Sequence, residues 1–324
     1  MKHTKTIVIT GASSGAGRAT ALLLASDGYR LVLAARNTKA LEELADECRE
    51  LGAAVLVVTT DVTDTEAVKH LANEAAAWND GIDVWVNNAG VLAAGVFEET
   101  PWEVHERVIA TNLMGYMRGA HAVLPFFKAQ GHGILINNIS IGGFLPVPFG
   151  GAYSAAKFAL RGFFEALKGE LTGWPAIHVA DLFPAFLDSP GIQHAGNYTG
   201  KVLKPAPPVY DTSVVARAVQ ASILHPRATR YPGIASRFFK LGHAIAPLLV
   251  VKATAMVMKT YFKTADSTAV TPGNLFDTVD YGMSVNGNAR PRLTPVTKKK
   301  LAAGAALAII GLAATVLFNK SSKV

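Results

Sequence analysis

The feature that most constrains this chain is an alternation. Short, β-branched-rich apolar runs occur at Ile7–Ile9, Leu31–Ala34, Val55–Val58, Val84–Val86, Ile134–Ile136 and Ile177–Leu182. Segments with helical spacing separate them, at about 15–28, 38–51, 64–79, 103–130 and 152–172. A strand followed by a helix and another strand gives a parallel pair with a right-handed crossover. Repeated, it gives a doubly wound α/β fold: a parallel sheet buried under helices on both faces.

The first strand runs straight into Thr10-Gly11-Ala12-Ser13-Ser14-Gly15-Ala16-Gly17, which opens the first helix. Glycines let the backbone turn tightly and come close to a pyrophosphate. The helix N-terminus presents free N–H groups and the positive end of its dipole. The spacing is G-x-x-x-G-x-G, not the more familiar G-x-G-x-x-G. The position still points to a dinucleotide. The second strand ends Ala34-Ala35-Arg36, with no acid to accept from ribose hydroxyls. Arg36 can instead clamp a 2′-phosphate with its planar fork, so the expected cofactor is NADP.

Tyr153 and Lys157 are four residues apart and project from one helix face. A phenol is a poor acid–base group near neutrality, with a pKa of about 10. A neighbouring ammonium favours the phenolate, which makes the pair a proton donor to a carbonyl or an acceptor from an alcohol. Ser140, after the strand at Ile134–Ile136, can bond the substrate oxygen.

With these residues in place, the chain resembles the short-chain dehydrogenase/reductase family over roughly residues 4–190. The resemblance rests on Thr10–Gly17, Asp61-Val62, Asn87-Asn88-Ala89-Gly90, Asn112 in TNLMG, Ser140 and Tyr153-x-x-x-Lys157. It implies a Rossmann-like fold and assigns roles. Tyr153 is the general acid/base, Lys157 lowers its pKa and holds the nicotinamide ribose, and Ser140 orients the substrate oxygen. Asn112 holds a water in a proton relay. Asp61 and Val62 meet the adenine, and Asn88, Ala89 and Gly90 line the adenosine side. The family's Pro-Gly and threonine after the sixth strand are replaced by Pro184-Ala185-Phe186-Leu187-Asp188-Ser189. Ser189 can still donate a hydroxyl bond, and Ala185 alters the turn. The resemblance also implies a homodimer through the Tyr153 helix.

The expected activity is reversible transfer of hydride between NADP(H) and a carbonyl or secondary alcohol. The alternative is a tethered NADP-binding sensor without turnover. No G-x-S-x-G signal suggests a hydrolase. With Cys48 the only cysteine and no paired histidines, a metal site is not expected.

The rest of the chain is less regular. A Pro/Gly-rich substrate loop is expected at about 185–210 and a helix near 211–224. An apolar cap over 234–263 is dotted with Lys240, Lys252, Lys259 and Lys263. Apolar side chains here suggest a hydrophobic, lipid-like substrate. The catalytic domain is thus expected to span 1–263 and a polar linker 264–300. Leu301–Phe318 has no charge, and as a helix it reaches roughly 27 Å at ~1.5 Å per residue, close to the ~30 Å hydrocarbon core. It reads as a transmembrane helix before a polar tail at 319–324. Lys298–Lys300 place its N-terminal side, and the catalytic domain, in the cytoplasm. The net charge of +7 belongs to this end: residues 1–280 hold 24 basic and 24 acidic residues. A neutral folded part gives no reason to expect nucleic acid.

Overall fold

The structure is a computed structural model that describes residues 5–79 and 81–289. In chain order its elements begin β1 (Thr6–Thr10), α1 (Gly15–Ser26), β2 (Arg30–Ala35), α2 (Thr38–Glu50), β3 (Val55–Thr59), α3 (Thr65–Trp78) and β4 (Val84–Asn87). There follow a short β5 (Ala93–Ala94), α4 (Trp102–Ile109), α5 (Gly115–Gln130), β6 (Gly133–Asn138), α6 (Gly151–Glu170) and β7 (Ile177–Leu182). The last elements are β8 (Gly196–Asn197), α7 (Ser213–Leu224), β9 (Thr229–Arg230), α8 (Ala235–Ile245) and α9 (Pro247–Thr264).

Seven strands form one sheet in the order β3-β2-β1-β4-β6-β7-β9, and every pairing is parallel. The chain winds outward one way from β1, then returns and winds the other way from β4. A crevice opens at such a reversal, beyond the carboxyl ends of the strands. The strands alternate their side chains between two apolar layers. One gathers Val8, Val32, Trp85, Leu135 and Phe164. The other gathers Ile7, Ile9, Leu33, Val86 and Ile136. A strand buried on both faces must be apolar throughout, which is why these runs read as continuous rather than alternating.

The expected doubly wound sheet and its elements are present, with boundaries shifted by a residue or two. Two features differ. The helix expected over 103–130 is not uniform: Ala110–Met114 forms a single wide turn between α4 and α5. Such π turns recur at functional sites, and this one carries Asn112. The polar linker expected from residue 264 is also not free of the domain. As far as Ala289 the chain belongs to the same compact unit, and its backbone bonds to the sheet's carboxyl edge. Polar composition misled here because a strap held by main-chain hydrogen bonds needs no apolar stripe. The membrane helix expected at 301–318 lies outside the described residues. Among the described residues, no helix is long and apolar enough to cross a membrane.

Candidate active site

The β1–α1 turn is built around two close approaches. Gly11 has φ +64°, and a side chain there would meet the Ala89 backbone at 2.6 Å. A Cβ on Gly17 would overlap the Gly11 carbonyl and lie 2.7 Å from Asn88 Nδ2. Thr10 is buried, and its hydroxyl accepts from the Asn88 amide at 3.0 Å. Asn88 Nδ2 donates to the carbonyls of Thr10 and Gly11, at 3.1 Å each. Asn88 therefore fixes the loop from behind. Ser13 and Ser14 complete the turn. Ser14 leaves the helix N-terminus without a side-chain cap, and no acid stands in the first turn, where Gly15, Ala16 and Gly17 are buried. This is the cradle a pyrophosphate requires.

The catalytic candidates converge beside it. Ser140 follows β6 at φ +102°, a conformation that costs a non-glycine residue energy and persists only where its surroundings impose it. Its hydroxyl accepts from the Gly142 amide at 3.1 Å, and a Cβ on Gly142 would lie 3.0 Å from the Tyr153 ring and 3.6 Å from the Ser140 hydroxyl, so the two side chains converge there. Lys157, one turn further along α6, is buried, with its Nζ 5.7 Å from the centre of the Tyr153 ring and 4.8 Å from that of Tyr116. Burial raises the Tyr153 hydroxyl above its ordinary value, and Ser140 opposes this. Burial also pushes the Lys157 ammonium down to about 7. The resemblance implies that Lys157 lowers the tyrosine; desolvation is the largest influence on Tyr153 here.

Asn112 is fully buried and pairs with the Val91 backbone in both directions, at 2.8 and 2.7 Å. A Cβ on Gly90 would lie 3.0 Å from Asn112 Oδ1. Pro184 accepts from the Ile141 amide at 2.9 Å, and Ala185 is buried with its amide bonded to Pro232. Ser189 caps a short turn at Pro190–Ile192. A Cβ on Gly15 would come within 2.6 Å of its hydroxyl, so Ser189 borders the phosphate loop.

Asp61 Oδ2 pairs with Arg107 at 2.8 Å. Burial alone would raise the Asp61 carboxyl, but hydrogen bonds from Thr63 and Arg107 hold it below the usual carboxylate range. Val62 is buried and meets the α5 helix at Gly115. Arg36, at the end of β2, faces an unexpected partner. Its guanidinium donates to the carbonyls of Asn274, Leu275 at 3.2 Å and Phe276 at 3.1 Å. Arg107 Nε joins it on Leu275 at 2.8 Å.

The strap continues past the whole crevice. Leu275 is fully buried in a small cluster with Val91, Val104 and Val108, against which Tyr153 packs. Further on, Ser284 accepts from the Gly15 amide at 2.9 Å, and Gly287 donates to Asp188 at 3.1 Å. One segment thus touches the tyrosine, the candidate 2′-phosphate clamp and the glycine turn. Sequence reading missed it, along with Arg107 and Tyr116, because isolated polar and glycine residues carry no periodic signal. All the expected site residues nonetheless lie along one edge of the sheet.

At the N-terminal end of α6, a hollow of about 370 Å³ is walled by Val96, Phe97, Val147, Phe149 and Ala255, with His105 and Lys259. Gly151, two residues ahead of Tyr153, also lines it.

The short chain dehydrogenase family description matches residues 5–197. The uncharacterized oxidoreductase YxnA of Bacillus subtilis is 35% identical over 257 residues, 78% of this chain and 72% of the relative. Dehydrogenase/reductase SDR family member 7B of Bos taurus is 38% identical over 173 residues, about half of each protein. Among solved structures, an alcohol dehydrogenase of the archaeon Thermococcus sibiricus, complexed with 5-hydroxy-NADP, has a TM-score of 0.61 at 30% identity. That match covers 71% of this chain and 96% of the other. A short-chain dehydrogenase of Streptomyces avermitilis has a TM-score of 0.67 at 27% identity, covering 79% and 98%.

Proposed function

The chain belongs to the short-chain dehydrogenase/reductase family of oxidoreductases, and from that premise we propose that it interconverts a carbonyl and a secondary alcohol on a hydrophobic substrate with NADP(H). The observation that carries the reading is the convergence of Ser140, Tyr153 and Lys157 around Gly142, on the same sheet edge as the glycine cradle.

Thr10–Gly17 would hold the pyrophosphate, Asp61, Val62, Asn88, Ala89 and Gly90 the adenosine end, and Pro184 and Ser189 the nicotinamide side. The bound nicotinamide supplies or accepts the hydride. Tyr153 gives its proton to the carbonyl oxygen in reduction and takes it back in oxidation. Burial holds the hydroxyl above its ordinary value, so it is protonated at neutral pH and depends on neighbouring positive charge to give the proton up. Ser140, locked by its backbone and the Gly142 amide, orients the same oxygen. Lys157, beside the tyrosine ring, would hold the nicotinamide ribose.

NADP rather than NAD is supported by Arg36 at the end of β2 and the lack of an acid there. A hydrophobic substrate is supported by the apolar hollow beside α6. The charge-free run Leu301–Phe318, preceded by Lys298–Lys300, supports a single-pass tether with the catalytic domain on the cytoplasmic side.

The test is oxidation of NADPH and of NADH in detergent against ketosteroids, quinones, retinoids and long-chain ketoacyl compounds. Tyr153→Phe should lower kcat by roughly 10²-fold or more while coenzyme still binds. Turnover that survives in that variant would remove Tyr153 from the chemistry.

A further inference from the structure

Helices α8 and α9 carry large apolar side chains outward in helical register. Ile234, Phe238, Leu241 and Ile245 recur at spacings of four, three and four, and are 65, 46, 57 and 64% exposed. Leu248 at the start of α9 is 76% exposed, and Met256 two turns on is 69% exposed. The inner sides are already used. Phe239 packs on Phe186, His243 on Phe158 and Phe262 on Phe149. Even so, no residue of α9 is buried. An outward apolar stripe of this extent marks a surface made to be covered.

Charge indicates what covers it. Between Asp211 and Asp266 the chain has no Asp or Glu. On and around the stripe stand Arg237, Lys252, Lys259 and Lys263, all exposed. An apolar stripe interspersed with cations and free of acids matches an anionic bilayer, which takes apolar side chains into its acyl boundary while lysine stems reach up to its headgroups. A second copy of this chain fits worse. A twofold contact would set like charges against each other with no acid between them.

We infer that the α8–α9 face docks on the surface of a membrane containing anionic lipids, with Leu248 and Met256 at acyl-chain depth. This contact is independent of the hydride-transfer reading. It also places a lipid surface beside the hollow, because Ala255 and Lys259 of α9 form part of that hollow's wall.

The test uses the full chain carrying one environment-sensitive fluorophore at Leu248→Cys, Met256→Cys or, as a control, Glu43→Cys on α2. Cys48 is buried and its thiol is pushed up to about 11, so the label goes to the introduced site. Each labelled protein is mixed with vesicles of phosphatidylcholine alone, or of equal parts phosphatidylcholine and phosphatidylglycerol. On the mixed vesicles the labels at 248 and 256 should shift to the blue, brighten several-fold and be quenched by nitroxide on the acyl chains. The Glu43→Cys label should stay water-like. The label reads only its own surroundings, so attachment through another segment does not imitate the result. In the label-bearing Met256→Cys background, Lys252→Glu with Lys263→Glu should weaken the response about tenfold or more, while circular dichroism stays unchanged. Labels that remain water-like on the mixed vesicles overturn the inference. So does self-quenching between copies that appears without lipid and excludes the vesicles.

Discussion

Between Ile234 and Thr264 the chain is rich in Phe, Leu, Val and Met, yet Ser236 is the one residue there that is buried. Between Asp266 and Ala289 it is mostly polar, and that segment is tied to the crevice by Arg36, Arg107, Gly15 and Asp188. The two neighbours exchange the places their compositions suggest. The difference lies in partners. The strap offers backbone carbonyls to two arginines and one leucine to a waiting pocket, and each contact has a geometric match in the domain. The α8–α9 hairpin spends its inner face on a few aromatic contacts and has nothing within the described chain to cover the outer one. Hydropathy measures what a segment gains by leaving water, and the fold decides whether there is anywhere to go.

Leu275 gives the largest way to break this contrast. It is fully buried, and its removal leaves a cavity beside Val104 and Val108. Leu275→Ala should cost roughly 2–4 kcal/mol in chemical denaturation. It should also disturb Tyr153, which packs on the same cluster, and so lower kcat. A cost below about 1 kcal/mol would mean that the strap is an adhering tail rather than part of the domain.

Lys157 sharpens the contrast from the other side, as a polar group buried without a carboxylate. Its native value of about 7 lies well below the ordinary 10.5. Below pH 7 native and unfolded chains both carry the proton, and the penalty is constant. Between pH 7 and 10.5 the unfolded chain binds more protons, so stability rises with pH, at up to ~1.4 kcal/mol per unit. Above pH 10 the raised Tyr153 hydroxyl acts in the opposite sense. Denaturant melts of the protein without coenzyme at pH 6, 8 and 9.5 should show this climb, and Lys157→Met should flatten it. Equal slopes in both proteins would mean the ammonium is better solvated than its burial implies.

Arg36 is shared between strap and expected coenzyme, so its effect is smaller but double. Arg36→Ala removes bonds to three strap carbonyls, worth about 1–3 kcal/mol together. Amide exchange over 274–285 should quicken, and the preference for NADPH over NADH should fall at least tenfold by the loss of a phosphate clamp. Faster exchange with an unchanged preference would assign Arg36 to the strap alone.

These residues also show where sequence reading succeeds. The sheet was legible because strands buried on both faces must be apolar, and the loop because only glycine fits at Gly11 and Gly17. Tyr153 and Lys157 were legible because a helix puts positions four apart on one face. The strap was not, since main-chain bonds to Arg36 and Arg107 span some 170 to 240 residues and leave no local pattern. The titration of Lys157 was not either. Its burial depends on Tyr116, a residue whose role no spacing announces.

The smallest effect is expected at Leu248, and its smallness is informative. At 76% exposure the side chain loses little contact when truncated. Leu248→Ser should change stability in aqueous detergent-free buffer by no more than about 0.5 kcal/mol, as surface substitutions generally do. The same chemistry at Leu275 should be severe, although both are leucines followed directly by an apolar residue in sequence. Paired denaturant melts of the two serine variants measure that gap directly. If Leu248→Ser proves as costly as Leu275→Ser in the absence of lipid, then α8 and α9 already bury this face in solution. A second copy of the chain becomes its cover, and sedimentation at two protein concentrations would reveal it.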